Sequence, residues 1–432
     1  MSEPKRPGVK VKDVQQSVWS SAVISEIDHK AATGSHRIRG CGATRKVPTF
    51  DDLVFLPSQL TRMSIDTYRE PCVTRVQLGG GRGARPVEIE TPIMIAGMSY
   101  GALSCEAKTA MARATAMTGT VISNGEGGLL PQEAAESYRQ SIQVLPSRFG
   151  FTRANLDQAD MIEFLIGIGA KPGLSGHLMG SKISEEVAAF RQLPVGIDLH
   201  SHPRHGDCFG ADDMVIKLQQ LRALTDHEVP IFLKIAAGRV RDDVKIAVKG
   251  GADGIILDGS QAGTGAAPVM ATNHLGIPTL PALVQAVRTL EEMGMRDQVS
   301  LIVSGGIKDG ADLAKAIALG ADAVAIGTAA MVAMGCRVCL QCHTGRCAFG
   351  IGTQDPVERQ NLDIDAAAMK LANFISGMTS EAVLLAKAAG KTRLANLERE
   401  DLRSLDMHAS AMTGIPLAGC DWTPVERYGF AT

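Results

Sequence analysis

Long apolar runs, a secretory leader and a strong net charge are all missing from this sequence. No run of 18 or more apolar residues occurs, and the first residues, MSEPKRPGVKVKDVQQ, contain no apolar core of secretory type. The 44 basic and 46 acidic residues give a formal net charge of -2. These absences argue against a membrane-spanning helix, a secreted protein and a nucleic-acid-binding surface. We therefore expect a soluble, cytoplasmic protein with no membrane or nucleic-acid partner.

Aromatic residues are also scarce, at 4% of the chain, whereas glycine is abundant, with 46 residues. This composition is typical of an α/β enzyme with many tight turns between strands and helices. From residue 89 onward, short apolar runs alternate with stretches of helical period, as parallel βα units do. Eight such runs are present, at residues 93–96, 120–123, 142–144, 161–166, 231–235, 254–257, 301–304 and 323–326.

Eight runs predict a (β/α)8 TIM barrel over residues 89–335, with a doubly wound sheet as the alternative fold. The apolar piece VGIDL, between the fourth and fifth runs, is interpreted as part of a loop insertion. The remaining segments are an N-terminal extension (1–88) with a helix-like piece at 13–27, a cysteine-containing loop (336–356), and a helical C-terminal segment (357–432) with helical period over 363–405.

The segment SGGIKDGADLAKAIALGADAVAIGTAA contains the last two predicted strands and their turns. Asp312 is placed to begin the helix between them. Backbone amides left free at such turns can bind one shared anion, so the segment predicts a phosphate site. The alternative is that the glycines only permit tight turns. The residues predicted to contact the phosphate are Ser304, Gly305, Gly306, Gly327 and Thr328.

Other small-residue loops at the same face indicate what the phosphate belongs to: a flavin mononucleotide, a phosphosugar or a nucleotide. Lys234 ends the fifth strand in IFLKIA, where its ammonium could balance a reduced, anionic flavin, although a salt-bridged rim lysine is the alternative. Two loops, in PIMIAGMSYGALS and GSQAGTGAAP, allow a flat ring to approach the backbone closely. Their predicted contact residues are Ala96, Gly97, Met98, Ser99, Gly263 and Gly265.

Two further loops carry polar residues. Glu126 lies between glycines in SNGEGGLL, where its carboxylate could orient an amine or transfer protons; a solvated loop glutamate is the alternative. The stretch HSHPRHGDC has three histidines but lacks the helical spacing of a metal site, so an active-site loop or plain surface is the preferred interpretation.

Four of the nine cysteines occur together in GCRVCLQCHTGRC. Cys336, Cys339, Cys342 and Cys347 have the spacing C-x2-C-x2-C-x4-C, and several thiolates on one short loop suit an iron–sulfur cluster. A zinc site and incidental thiols are the alternatives. Because the loop directly follows the eighth strand, a cluster here would lie close to a flavin at the barrel mouth.

An ordered set of motifs resembles one known family. PIMIAGMSYGALS, SNGEGG, QVLPSRFG, GAKPGLSGH, FLKIA, GTGAAP and CAFGIGTQDP follow one another, over about residues 89–355, as in the FMN-binding domain of glutamate synthases. A part of this region, GGIKDGADLAKAIALGADAVAIGT, also resembles inosine monophosphate dehydrogenases and 2-hydroxyacid oxidases, but neither family explains the cysteines. The main resemblance adds Ser123 and Gln143 to the FMN contacts.

The glutamate synthase resemblance implies an FMN-dependent barrel that converts 2-oxoglutarate and an amine, through an imine, to a glutamate product. Its keto-acid contacts correspond to Lys171, His177 and Arg191. His177 replaces a glutamine of the family, and Leu129 replaces a second glutamate, so the substrate is expected to differ from the usual one.

The family's three-iron cluster uses C-x5-C-x4-C, which Cys336, Cys342 and Cys347 reproduce. Cys339 is an addition, so the resemblance leaves both 3Fe-4S and 4Fe-4S clusters open. The chain also lacks the glutaminase and β-helix regions of large glutamate synthases. It therefore resembles most the stand-alone subunit of N-methylglutamate synthases, which works with amidotransferase-like and β-helix subunits. A glutamate synthase that uses ammonia and a non-catalytic electron-transfer subunit are the alternatives.

Overall fold

Eight parallel strands form a closed barrel in the computed structural model, which describes residues 18–420 and 422–424. Each predicted apolar run becomes one strand, so the predicted (β/α)8 barrel is confirmed. The strands are β1 (Ile93–Ile95), β2 (Val121–Ser123), β3 (Arg139–Val144), β4 (Met161–Leu165), β5 (Ile231–Ala236), β6 (Gly254–Asp258), β7 (Ser300–Ser304) and β8 (Ala323–Ile326).

The barrel closes where β8 pairs with β1, with Ile326 opposite Ile95. Because all eight strands are parallel, their carboxyl ends and the loops that follow them meet at one face. Apolar side chains of the strands fill the barrel interior, among them Met94, Met161 and Ile302. A larger core separates the strands from the surrounding helices.

Helices follow the strands, as the alternation in the sequence predicts. The helix after β1 begins at its cap Ser104, whose hydroxyl accepts a bond from Ala107 N, and ends at Gly119 in the left-handed conformation. The helices from β1 to the end of the barrel are Cys105–Thr118, Pro131–Glu136, Arg153–Leu156, Glu185–Arg191, Ala211–Leu224, Val240–Lys249, Val269–His274, Thr279–Glu292, Gly310–Ala318 and Thr328–Met334.

The N-terminal extension packs against the barrel at both ends. A hairpin of Val76–Leu78 and Val87–Ile89 shares the interior core and closes the amino ends of the strands. At the other face, Ile38–Arg39 pairs with Ala267–Pro268 beside the cavity described below. The extension's helix is Ser21–Thr33, which overlaps only part of the helix-like piece predicted at 13–27; residues 13–17 lie outside the described residues.

The C-terminal segment is helical only in part. Its main helix, Ile364–Ala388, packs against Cys105–Thr118 and Gly310–Ala318. The predicted helical period to residue 405 is wrong beyond 388, because Gly390 adopts φ +75° and Leu402–Ser404 then pairs with Leu53–Phe55. The other elements here are Pro356–Arg359, Met407–Thr413 and the three-ten turns Leu394–Asn396 and Arg399–Asp401.

The insertion between β4 and β5 also contains more structure than predicted. Leu199, the last residue of VGIDL, begins the short strand Leu199–His200, which pairs antiparallel with His177–Leu178. The three-ten turns elsewhere are Phe50–Asp52, Gly80–Arg82, Gly180–Lys182 and Cys342–Thr344. Within the described ranges, no helix is long and apolar enough to span a membrane. The segment boundaries at residues 88, 335 and 356 stay predictions.

Candidate active site

A cavity of about 800 Å³ opens at the carboxyl ends of the barrel strands. Most residues selected from the sequence line it, so the structure brings together side chains that are far apart in the chain. The predicted residues in its wall are Ala96, Gly97, Met98, Ser99, Glu126, Gln143, Lys171, His177, Arg191, Lys234, Gly263, Gly265, Ser304, Gly305, Gly306, Gly327, Thr328 and Cys342.

The floor of the cavity depends on the absence of a side chain at Gly97. A Cβ there would lie 2.9 Å from both Gln143 Nε2 and Ser123 Oγ. Ser123 therefore lies beneath the floor, fully buried, and its hydroxyl has no hydrogen-bond partner within the described residues. The glycine is therefore needed for packing against Gln143 and Ser123, and the predicted approach of a flat ring to this loop stays a prediction.

The predicted phosphate loop has tight turns at Gly305 and Gly306, with φ of +107° and +82°. Such angles favour glycine. The following helix begins at Gly310, with Asp309 as its cap, so the predicted start at Asp312 is two residues late. Asp312 instead accepts a 3.1 Å bond from Lys308 Nζ, and burial raises the pKa of this carboxyl to about 6.

Lys308 is a cation of the cavity wall that the sequence did not indicate. Besides Asp312, its Nζ lies 2.9 Å from Asp51 of the N-terminal extension. Burial alone would lower the pKa of Lys308, but Asp51 and Asp312 outweigh it and raise that pKa. The charge of Lys308 is thus taken up by the carboxylates around it, including Asp309 at 3.8 Å, and the glycine turns remain the main feature of the predicted phosphate side.

Lys234 lies at the centre of a buried polar network. Its Nζ is 3.1 Å from Glu163 Oε1, and Gln143 Nε2 donates a 2.6 Å bond to the same oxygen. Burial disfavours the lysine's charge, but the carboxylates of Glu163 and Asp258 outweigh it and raise the pKa of Lys234. The lysine is thus both ion-paired and part of the cavity wall, which combines the two interpretations made from sequence.

Lys171 and Arg191 bring two further cations to the cavity, and both are more than nine-tenths buried. Lys171 Nζ donates a 2.9 Å bond to Ala266 O. Burial lowers the pKa of Lys171 to about 8, against the opposing attraction of Glu126. Burial lowers the pKa of Arg191 as well.

The Arg191 guanidinium uses only part of its donors. Its Nη2 donates to Glu126 O, whereas Nε and Nη1 have no partner within the described part of the chain. Gly127, at φ +106°, makes room for it, since a Cβ there would lie 2.2 Å from Arg191 Nε. The free donors can bind an anionic ligand such as a carboxylate.

Glu126 is held by two hydroxyl groups. Ser147 Oγ and Ser201 Oγ donate to its Oε1 at 3.0 and 2.6 Å. Ser201 belongs to the HSHPRHGDC loop, and His202 and Pro203 of the same loop also line the cavity. This placement agrees with the interpretation of that stretch as an active-site loop.

His177 is oriented by its neighbours in the β4–β5 insertion. Its Nε2 lies 2.9 Å from Asp198 Oδ2, and its ring stacks on His200 with centroids 4.3 Å apart. One ligand-type atom from each of the three residues lies within 4.8 Å of the others. The rings are inclined by only 26°, so their nitrogen lone pairs run nearly side by side rather than converging on one ion.

The cysteine loop meets the cavity at Cys342. Cys336 and Cys347 are half-buried and Cys339 is exposed. Within the described residues, no three cysteine sulfurs lie within 4.8 Å of one another. The iron–sulfur cluster and its zinc alternative therefore stay predictions.

Two residues that sequence reasoning missed lie beside Cys342. Cys41, from the N-terminal extension, is buried, lines the cavity and hydrogen-bonds to the Cys342 thiolate. This bond, together with the charge of Lys182, lowers the pKa of Cys342 to about 6. Burial in turn lowers the pKa of Lys182 to about 8, which the charges of Cys342 and Cys347 oppose.

Comparison with known proteins identifies the family. A family model described as a conserved region in glutamate synthase matches residues 44–392. The chain belongs to the glutamate synthase family. It is 46% identical to a glutamate synthase large subunit-like protein of Rhizobium meliloti, over 95% of this chain and 96% of the relative. It is 38% identical to an archaeal glutamate synthase (NADPH) of Methanocaldococcus jannaschii, over 93% and 85%.

Solved structures show the same fold at lower identity. A mandelate oxidase is 19% identical, with a TM-score of 0.54 over 84% of this chain and 92% of that one. A lactate oxidase of Pediococcus acidilactici is 15% identical, with a TM-score of 0.53 over 83% and 84%. The glutamate synthase family barrel therefore shares its architecture with these oxidases.

Among the residues missed in this glutamate synthase family site, Glu163 alone had a signal in the sequence. It is the one charged residue inside the apolar strand β4, and a charge in a buried strand requires a partner. Lys182 and Cys41 had none, because each reaches the site through contacts distant in sequence.

Proposed function

We propose that this chain is the FMN- and iron–sulfur-containing subunit of an N-methylglutamate synthase. The reaction would convert methylamine and glutamate to N-methylglutamate and ammonia, through an imine of 2-oxoglutarate type. The main support is one cavity that combines small-residue loops, a buried lysine and two cations suited to a dicarboxylate: Lys234, Lys171 and Arg191.

The residues present fit FMN. Support comes from the wall of the 800 Å³ cavity, in which Gly97, Gly305 and Gly306 expose backbone; a Cβ at Gly97 or Gly305 would collide with the protein beneath, at Gln143 and Thr279. In this proposal, Ser304, Gly305, Gly306, Gly327 and Thr328 hold the phosphate, and the ring lies among Ala96, Gly97, Met98, Ser99, Gln143, Lys234, Gly263 and Gly265. When bound, FMN would accept the two electrons released as glutamate is oxidised to an imine and would return them once methylamine has replaced ammonia, so the exchange would need no outside reductant.

Lys234 would stabilise negative charge on the reduced cofactor, and Glu163 and Gln143 keep the lysine in place. A side chain without a charge, or one that is not held in place, could not stabilise this negative charge. The cysteine loop fits an iron–sulfur cluster, with Cys336, Cys342 and Cys347 as ligands and Cys339 available as a fourth. The cluster would carry single electrons to or from the cavity.

Lys171 and Arg191 would bind the two carboxylates of the substrate, and their binding would compensate the burial of both cations. Glu126 would exchange protons with the amine through Oε2, because its Oε1 is already held by Ser147 and Ser201. His177 would complete the substrate wall, fixed by Asp198.

The choice of methylamine as the amine rests on two replacements, of which His177 lines the cavity. His177 stands where the resemblance expects glutamine, and Leu129, which is buried, stands where it expects glutamate. The second candidate is a glutamate synthase that forms glutamate from 2-oxoglutarate and ammonia. It is favoured by relatives that are named archaeal glutamate synthase (NADPH).

The test is to purify the chain anaerobically, with any subunits that co-purify, and to supply methylamine and glutamate. We expect bound FMN, bound iron, and N-methylglutamate and ammonia in equal amounts. Glutamate formed only from 2-oxoglutarate, ammonia and a reductant would select the second candidate. Bound cofactors without formation of either product would indicate a non-catalytic electron-transfer subunit. The absence of both flavin and iron would refute the proposal.

The proposal includes amidotransferase-like and β-helix subunits in one hetero-oligomer. A tagged chain expressed with its neighbouring genes should retain both types of subunit on an affinity column. Elution of the chain alone, still active with methylamine, would contradict this part of the proposal without affecting the chemistry.

A further inference from the structure

Lys182 lies between the cysteine loop and the loop that follows β1. Its side chain is almost completely buried, with 2% of its surface exposed. Its Nζ donates a 2.6 Å bond to Ala102 O, in the cavity wall, and a 3.1 Å bond to Cys342 O. Gly345 packs against its stem, since a Cβ at Gly345 would lie 3.0 Å from Lys182 Cγ.

Lys182 has no ion-paired carboxylate among the residues the structure describes, and both of its hydrogen-bond acceptors are backbone carbonyls. Burying an unpaired charge is costly, because water no longer solvates it. The bond of Lys182 to the cysteine loop is made to Cys342 O, at 3.1 Å. Two carbonyl oxygens complete its bonds, so its surroundings lack only a larger negative charge.

Lys108 shows how the same fold pairs a buried lysine elsewhere. It is also buried, with 1% exposed, and also donates to backbone of the β1 loop, at Met98 O. Unlike Lys182, it has a carboxylate partner, Glu133, at 2.8 Å. Lys108 therefore has its counter-charge within the fold, whereas an iron–sulfur cluster with thiolate ligands on the cysteine loop would supply one to Lys182.

We propose that Lys182 is a positioning residue of the iron–sulfur cluster. Its bonds to Cys342 O and Ala102 O hold the cysteine loop against the loop that follows β1, and its positive charge stabilises the reduced cluster. A nearby positive charge favours the more negative, reduced state, so it raises the reduction potential. This inference rests on the proposed function, because it requires the cluster to be present.

The test compares variants of the anaerobically purified holoenzyme. Lys182→Met removes the charge and the bonds, Lys182→Gln removes the charge but keeps an N–H donor, and Lys182→Arg keeps the charge. Lys387→Met is the matched control, because Lys387 is also buried and donates to a backbone carbonyl, Thr67 O, beside Cys72 rather than the cysteine loop. Iron content is measured first, and the cluster potential is followed by electron paramagnetic resonance during redox titration.

We expect a more negative cluster potential in Lys182→Met and Lys182→Gln, a smaller change in Lys182→Arg, and none in Lys387→Met. The flavin potential, read from visible absorbance, should shift less than the cluster potential. Loss of iron from both neutral variants, with iron retained in Lys182→Arg, would also support a requirement for the charge.

Full iron content with an unchanged cluster potential in Lys182→Gln would overturn the inference. Loss of iron from all three Lys182 variants, with a normal Lys387→Met, would overturn it as well, because Lys182 would then be structural only. A wild-type protein without iron would instead refute the proposed function, so the two failures can be told apart.

Discussion

The two ends of the barrel contain cavities of nearly equal volume, about 810 Å³ at the amino ends of the strands and about 800 Å³ at the carboxyl ends. They differ in how their polar groups are paired. At the amino end, Arg296 donates to Asp322 Oδ1 at 2.9 Å, and Asp322 Oδ2 accepts from Leu301 N. In the wall of the carboxyl-end cavity, Arg191 keeps Nε and Nη1 without partners within the described ranges.

This difference teaches that volume alone does not identify a site. Unpaired buried polar atoms cost free energy, so a fold tolerates them mainly where a ligand supplies the missing bonds. The amino-end cavity, with its paired charges, is part of the scaffold that closes the barrel. In barrels of this kind, chemistry is concentrated at the carboxyl end.

The largest expected effect is the loss of bound iron from a cysteine variant at the carboxyl end, which a variant at the amino end should not show. Cys342→Ala should abolish iron binding, because this sulfur joins the loop to the cavity wall. Cys339→Ala should retain iron, since Cys339 is exposed and is not one of the three ligands implied by the family spacing. Iron and acid-labile sulfide are measured per flavin.

Arg296→Met, at the amino end, is the control and should keep both iron and flavin. Equal iron loss in Cys339→Ala and Cys342→Ala would show that all four thiols are needed. Iron loss in Arg296→Met would break the contrast between the two ends.

The Lys234–Glu163 pair tests the comparison of the two ends through protein stability. This ion pair lies at the carboxyl end and is expected to stabilise the folded protein. Lys234→Met leaves Glu163 buried without its cation, which should destabilise the protein by about 3–5 kcal/mol. The double variant Lys234→Met/Glu163→Gln should recover much of this loss. Arg296→Met should cost less, about 1 kcal/mol or below, because that pair is partly exposed.

Denaturant midpoints followed by circular dichroism measure these changes. A midpoint for Lys234→Met that equals that of the wild type would mean that Glu163 accepts a proton at little cost. A double variant as unstable as Lys234→Met would show that the loss comes from packing rather than from the unpaired charge.

The contrast between the two ends also explains what the sequence could predict. The eight strands and the wall residues that follow them carry local signals, such as apolar period and glycine turns, and parallel strands bring those ends together. Lys234 was found this way, whereas Arg191, which ends the helix Glu185–Arg191 in an insertion, came only from the family resemblance. Lys182 and Cys41 were not, because they act on Cys342 from an insertion and from the N-terminal extension, and contacts of that kind leave no spacing in the chain.

Helix ends beyond the barrel show the same limit. The helical period after residue 388 continues in the sequence, but pairing of Leu402–Ser404 with Leu53–Phe55 replaces it with a strand. Tertiary contact therefore overrides local pattern where two distant segments meet. The C-terminal segment was predictable only as far as its packed helix Ile364–Ala388 extends.

The affinity for a dicarboxylate should also distinguish the two cavities, with a smaller effect than those above. Lys171→Met should weaken binding of a dicarboxylate such as 2-oxoglutarate or glutarate by about 10- to 100-fold, since a hydrogen bond to a charged group is lost. Arg296→Met should bind the same dicarboxylates as tightly as the wild type. Calorimetric titration of the flavin-loaded protein measures both. Unchanged affinity in Lys171→Met would move the carboxylate site away from this lysine.

The smallest expected effect is a pH dependence that belongs to the carboxyl end alone. Burial lowers the pKa of Lys171 to about 8, so the free site loses its ammonium above that pH and must regain a proton to bind a dicarboxylate. Affinity should therefore fall about tenfold between pH 7 and pH 9. Lys171→Arg should abolish the fall, because arginine stays charged over this range. Glu126 and Arg191 face the same ligand, and Lys182 also has a pKa of about 8. A pH dependence that persists in Lys171→Arg but disappears in Lys182→Arg would assign it to the cysteine loop instead.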